Sequence, residues 1–466
     1  MMAELPTTKT NDSRWRERFA ARGADWLKDV REAAMSRFEA MGFPTTRDEE
    51  WRYTNLAPLE GVPFASPVAM SANDLSEEAL AAFYFDGDAG ARALFVNGVF
   101  QADRSDLSGL PAGVRVMSLG SAMDTHRELI EPHLAKHADY RESAVCALNT
   151  ALFEDGALVH IDRGVVTDKP IHLVFVATGG EVPTAVFPRN LVIAEENSKS
   201  RIVVTYAGVW AGTYLTNGVT EIVAKENAVV DHYQVQRESP DTYHLSTRQV
   251  YLARSGNVSS HTLAFGGRLV RNDINALLDG EGANCMFNGL SVLRESQHVD
   301  NHLRVDHAKP HCNSWEFFKG IYDDHSRGVF TGRIIVREDA QKTDAKQSNM
   351  NLLLSKDAMI DTKPQLEILA DDVKCTHGAT VGQLDDEAIF YLRSRGVSEE
   401  AARSLLIYAF AGESVGQVRI ASLRDKLQAL LSSRLAYGES LTFGRPFEYS
   451  DDFADVVRHA DRRRET

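Results

Sequence analysis

The chain has 466 residues, 43% of them hydrophobic and 25% charged, and a formal net charge of -15. That length and balance fit ordinary globular proteins of two or three domains, able to bury a large core. The negative charge argues against phosphate-backbone binding, so no nucleic-acid role is expected, and no apolar run approaches the ~18 residues of a membrane span.

In chain order, the first residues Met1-Met2-Ala3-Glu4-Leu5-Pro6 lack a basic-then-apolar signal, which predicts a cytoplasmic protein. Across residues 12–41, Trp15, Phe19, Trp26, Leu27, Val30, Ala34 and Phe38 recur at mostly three- and four-residue steps. That spacing predicts an amphipathic helix, open to interruption at Gly23 and stopped by Gly42 and Pro44. In the segment Thr46-Arg47-Asp48-Glu49-Glu50-Trp51-Arg52-Tyr53-Thr54-Asn55-Leu56 that follows, Trp51 and Tyr53 are expected to dock on the body of the protein. A short helix over residues 75–83, with Ser76-Glu77-Glu78 in its first turn, completes a helical region over residues 1–90.

From about residue 91 short β-branched and aromatic runs take over, and 91–383 reads as the core. Apolar strands meet small polar turns at Glu196-Asn197-Ser198, Glu226-Asn227-Ala228, Ser255-Gly256-Asn257 and Gly280-Glu281-Gly282, roughly 25–30 residues apart. A later turn of the same layout is Ser355-Lys356-Asp357. The period suggests a right-handed parallel β-helix in which each coil buries its apolar face on its neighbours. Degenerate short strands also suit a sandwich. Residues 384–466 turn helical: Asp385 or Asp386 caps a helix with Ile389, Phe390 and Leu392, and Gly396 ends it. Ser398 caps a second whose stripe is Ala402, Leu405, Leu406, Ala409 and Phe410, and a third carries Leu423, Leu427, Leu430, Leu431 and Leu435. Residues 449–466 are expected to fray.

Cysteines 146, 285, 312 and 375 are too few and scattered for a disulfide framework and read as reduced thiols. Cys375 and His377, in Asp371-Asp372-Val373-Lys374-Cys375-Thr376-His377-Gly378, form the best candidate for chemistry. On a strand, residues i and i+2 share a face, so both could reach one soft metal or sulfur species. The alternative is a small buried cysteine beside a histidine bonded at a turn. Two donors cannot close a metal site, so a site here needs donors from elsewhere. In the run from His298 to Cys312, His-x3-His spacing on a strand puts the rings about 13 Å apart, which suits polar ladders better than one metal ion. Asp371 and Asp372, adjacent on a strand, would face opposite ways and cannot flank a glycosidic bond, which argues against a polysaccharide-cleaving β-helix. No Gly-x4-Gly-Lys-Ser/Thr loop is present, so the chain is not expected to bind ATP, and Gly-x-Ser-x-Gly is also missing.

The segment Ala-Asp-Asp-Val-Lys-Cys-Thr-His-Gly-Ala-Thr-Val-Gly, the later Phe390-Tyr391-Leu392-Arg393-Ser394-Arg395-Gly396, and the N-terminal Arg-Asp-Glu-Glu-Trp-Arg-Tyr-Thr-Asn-Leu resemble the SufB/SufD family, on its SufD side. This family provides the scaffold subunits of the SUF iron–sulfur assembly machinery. The resemblance implies a β-helix between helical regions and a non-catalytic scaffold. It implies pairing with a SufB-like paralogue and recruitment of a SufC-like ATPase, with Leu405, Leu406 and Phe410 on the ATPase-docking region. It also implies that His377, with Cys375 beside it, holds a transient iron–sulfur cluster at the interface with the paralogue. Glu413 matches a glutamate of the paralogue implicated in cluster handling. A homodimer when the paralogue is missing, and reduced flavin on the complex, fit the same resemblance. A purely structural adaptor that never touches iron is the alternative.

Overall fold

The evenly spaced polar turns mark successive coils of a β-solenoid of about eight turns. This computed structural model describes residues 11–20, 26–66, 75–85 and 89–435. One sheet orders its strands Val99–Phe100, Ala91–Val96, Ile171–Ala177, Lys199–Gly208, Val229–Arg237, Asn257–Ala264, Asn284–Leu293, Asn313–Tyr322, Asp344–Leu353 and Lys374–Gly382. The second runs Val114–Ser118, Ala157–Ile161, Arg189–Ala194, Tyr214–Ala224, Tyr243–Leu252, Leu269–Leu278, His298–His307, Arg327–Val336 and Met359–Ile368. From Arg189 onward the chain alternates between the sheets, and each strand pairs in parallel with the one a full coil later. Register holds without a slip, as in Asn284, Asn313, Asp344 and Lys374.

Parallel pairing forces a sharp turn at every corner, and the sequence supplies residues that tolerate left-handed backbone there. Asn197, Asn227, Ser255, Gly282, His311 and Lys342 all have φ between 54° and 71°. Each donates its N–H to a carbonyl in the turn one coil on, at Glu226, Arg254, Glu281, Pro310, Gln341 and Asp372, over 2.7–3.1 Å. The four turns expected at 25–30-residue spacing lie on this one corner. The turn at Ser355-Lys356-Asp357 belongs to the opposite corner, between Asp344–Leu353 and Met359–Ile368.

Alternate residues point into the coil, where Val230, Val250, Ile274, Cys285, Phe287 and Leu303 belong to one continuous apolar cluster. The same compact unit, residues 1–84 and 89–383, includes the N-terminal helices. Two helices, Asn11–Ala20 and Lys28–Met41, occupy the predicted amphipathic stretch and bury Trp15, Ala34 and Phe38. Gly23 lies outside the described residues. Over 75–83 the helix is Glu77–Ala81, capped by the Ser76 side chain.

Short β-runs were expected to take over from about residue 91 and no helix was read there, yet Leu119–Thr125, Arg127–Ile130 and Ala144–Leu152 are helices. Every residue of Ala144–Leu152 is buried, so Ala-Val-Cys-Ala-Leu-Asn-Thr-Ala-Leu shows no polar face and no 3.6-residue stripe to read. Asn149 ties this helix to the second sheet through the carbonyls of Pro188 (3.1 Å) and Asn217 (2.8 Å).

The second unit spans 85–88 and 384–466. Its helices Asp386–Arg393, Glu399–Gly416 and Ala421–Leu435 start as predicted for the first two, with Asp385 and Ser398 accepting from Glu387 and Ala401. Leu423, Leu427, Leu431 and Leu435 are buried. The expected fraying of 449–466 falls outside the described residues.

Candidate functional site

Cys375 and His377 lie on Lys374–Gly382, the last strand of the first sheet. Asp344–Leu353 covers one edge of that strand, and the other edge is without a strand partner among the described residues. Cys375 aligns with Ala345 and His377 with Gln347, so the two side chains occupy successive positions on one face, roughly 7 Å apart along the backbone. Apart from half-buried Cys375, every residue of the strand is exposed, including the apolar Val381. Met359, the first residue of the last strand of the second sheet, and Leu369, which follows that strand, are exposed too.

Cys375 packs on the cluster formed by Ile334, Val336, Ala340, Ala345 and Ala370. Burial pushes its thiol above the ordinary value, and Asp344 adds to the effect. The environment therefore opposes the thiolate that a soft metal needs, until an arriving cation reverses the balance. Among the described residues no group of three or more His, Cys, Asp or Glu could hold a metal ion.

Beneath His377 the register places Gln347 and then Glu316, both buried. Gln347 donates to one Glu316 oxygen, while Oε1 of each side chain has no partner. Burial raises the Glu316 carboxyl to about 7. Sequence reading missed this pair because Asn313–Tyr322 inverts the usual pattern: Glu316 faces in, while Trp315 is 39% exposed.

The histidine run does something else. His298, Asp300 and His302 point outward from His298–His307 and hold the N-terminal segment. Thr54 Oγ1 donates to Asp300 Oδ2 (2.6 Å) and meets His298 Nε2 (2.9 Å), and Glu50 pairs with His302 (2.6 Å). The His302 bond holds the Glu50 carboxyl down at about 2. Arg271 donates to Asp300 and to the Glu50 carbonyl, and its guanidinium stands 4.4 Å over the Trp51 ring. Glu49 reaches Lys363 on the last strand of the second sheet (2.7 Å). Trp51 docks as expected, but the residues fully buried in this strap are Thr54 and Leu56. His307 faces the interior and meets Ser314 (2.9 Å), and Cys312 donates to the Gly280 carbonyl (3.3 Å). A groove of about 870 Å³ beside the strap is lined by Trp51, His137, Arg271, Arg304, Arg333 and Arg337. Its arginines already face acids: Asp300, Glu142, Glu367 and Asp306. Asp371 and Asp372 precede the strand, in a bend, and Asp372 pairs with Lys342.

The remaining candidates lie in the second unit. Glu413 is exposed on Glu399–Gly416, and Leu405, Leu406 and Phe410 are half-buried there. The buried stripe of that helix is Ala402, Ile407, Ala411 and Val415, and Ala409 is exposed, which corrects the predicted stripe. On Asp386–Arg393, Ile389 is buried as expected, while Phe390 is 73% and Tyr391 56% exposed.

The family profile for the SUF system FeS cluster assembly SufBD core domain matches residues 175–410, and that for the SufBD N-terminal region matches residues 13–173. The chain belongs to the SufBD family. A SufBD family protein of Synechocystis is 34% identical over 88% of this chain and 91% of its own length. The iron–sulfur cluster assembly protein SufD of Escherichia coli is 32% identical over 94% of this chain and all of its own, and SufD of Bacillus subtilis 26% over 88% and 94%. The SufBD core match includes the open strand with Cys375 and His377, and the N-terminal match includes the strap. None of the described helices is long and apolar enough to cross a membrane.

Proposed function

We propose that this chain is a non-catalytic scaffold subunit that builds nascent iron–sulfur clusters at an edge it shares with a SufB-like paralogue. The observation that carries the reading is the strand Lys374–Gly382, which presents an imidazole and a thiol on one face beside an exposed edge that is unpaired among the described residues. An edge of this kind is a template for pairing with another chain. A partner strand would cover the exposed Val381 and bring the donors that His377 and Cys375 lack. His377 supplies an imidazole nitrogen to iron. Cys375 becomes a thiolate only as the incoming cation offsets the burial that now favours its thiol.

The cluster is cargo, assembled and passed on. ATP hydrolysis belongs to a SufC-like partner docked on the C-terminal helices, where exposed Phe390 and Tyr391 join the half-buried Leu405, Leu406 and Phe410 as candidate contacts. Glu413, exposed on the same helix as those leucines, is better read as an interface residue than as a cluster ligand. The open edge also supports a homodimer when the paralogue is missing, and the cytoplasm is the compartment in which such thiols stay reduced.

Co-expression with SufB-like and SufC-like subunits tests the reading. A stable complex that retains iron and sulfide under anaerobic purification is the expected result. A chain that elutes alone in the presence of both partners contradicts it.

A further inference from the structure

Four arginines are buried among the described residues, and three of them meet negative charge. Arg189 pairs with Glu221, and Arg271 with Asp300 and Asp273. Arg31 donates to the carbonyls of Thr150 and Phe153 at the C-terminus of Ala144–Leu152, the negative end of a helix dipole. Arg248 is different. It projects from Tyr243–Leu252 into the coil, 1% exposed, and among the described residues no carboxylate lies within ion-pair distance of it.

Its acceptors are all neutral: Ser260 (3.0 Å), Thr262 (3.1 Å) and the Gln234 amide oxygen. Three acceptors serve a group with five N–H donors, and Nε has none. Gln234 cannot offset the charge, because it passes its own N–H on to Asn272, which donates in turn to Asn301, and Asn301 to Ser291. Each amide turns its oxygen toward Arg248 and its donor end away, so the chain spreads positive potential instead of neutralising it. Glu238, the buried carboxylate following the neighbouring strand Val229–Arg237, is taken up by His244 (2.7 Å), Thr216 (2.6 Å) and Gln236 (3.0 Å). His232, which shares Ser260 with Arg248, is held neutral by burial and by the arginine. A buried cation without a counter-charge is among the most costly arrangements in a protein interior.

We propose that the coil interior at Arg248 binds one small monovalent anion of the chloride and hydrosulfide class, held at Nε of the guanidinium. A single guanidinium balances a single negative charge, and a dianion would exchange one uncompensated charge for another. The anion enters as the coils close during folding, so it acts as part of the core.

The test uses the full chain refolded from urea in sodium bromide, sodium hydrosulfide or sodium gluconate at equal ionic strength, the hydrosulfide arm under anaerobic conditions. Bromide or hydrosulfide is expected to raise the melting temperature of the wild type above the gluconate value, and the arm with the larger rise names the occupant class. Arg248→Gln is expected to melt at one temperature in all three salts. Crystals of the bromide-refolded wild type are expected to show a bromine anomalous peak within hydrogen-bond reach of Arg248 Nε, which decides the matter if the variant does not fold. Equal wild-type melting in the three salts, with only a water at Nε, overturns the proposal.

Discussion

Glu316 places a titratable acid where a solenoid ordinarily keeps hydrocarbon or neutral polar groups. Burial raises its carboxyl to about 7, above its unfolded value. Between those two values the unfolded chain has lost a proton that the folded chain keeps. Stability therefore falls as pH rises through this window and levels off above about 7. Glu316→Gln removes the penalty. Urea unfolding of variant and wild type should give a difference that grows in the variant's favour between pH 5 and pH 8, by up to ~3 kcal/mol. A pH-independent difference would mean that Glu316 is not buried as described. Thr54 makes the opposite kind of contribution, since its hydroxyl satisfies buried Asp300 and meets His298. Thr54→Val leaves that carboxylate with one donor fewer and should cost about 1–3 kcal/mol, read from the urea midpoint at pH 7. Neither residue was legible beforehand. Glu316 sits in an inverted strand, and Thr54 stands beside the larger Trp51 and Tyr53, which drew the docking argument.

At the scale of elements, the corner turns were the most readable feature, because left-handed backbone narrows the choice of residue. Asn227 shows the rule: φ is 57°, its N–H bonds Arg254, and its side chain bonds Asn197. Asn227→Gly keeps the backbone and should change stability little. Asn227→Val forces a β-branched residue into the same conformation and should cost about 1–2 kcal/mol, measured by thermal or urea unfolding. The helix Ala144–Leu152 was hidden for the reason that makes it well packed, since a helix buried on all sides carries no periodic signal. The stripe of Glu399–Gly416 was read correctly at Ala402 but misread beyond it, where Ile407, Ala411 and Val415 are buried while Leu405, Leu406 and Phe410 are only half-buried. The open strand yields its own prediction. Val381→Lys sets a charge on the edge and should weaken association with the SufB-like partner while leaving the isolated chain's melting temperature within a degree or two. Pull-down from co-expressing cells checks it, and unchanged recovery of the partner would move the interface elsewhere.

For the whole molecule, two facts now stand together: membership of the SufBD family, and a solenoid whose last coil presents Cys375 and His377 on a strand with one edge open among the described residues. The spacing of the two residues was legible because a strand alternates its faces. Their exposure was not, since it depends on the coil ending there. Among the described residues no group of three or more His, Cys, Asp or Glu could hold a metal ion, so the proposed cluster site needs donors from a partner. The structural-adaptor alternative predicts the same complex without iron contact from this subunit.

Those readings separate in one measurement: iron and acid-labile sulfide per complex, on wild type and His377→Ala co-expressed anaerobically with the SufB-like and SufC-like subunits. The account predicts that the variant assembles an intact complex whose iron and sulfide both fall severalfold. An intact His377→Ala complex with wild-type iron and sulfide would contradict it and leave this chain as a structural partner alone.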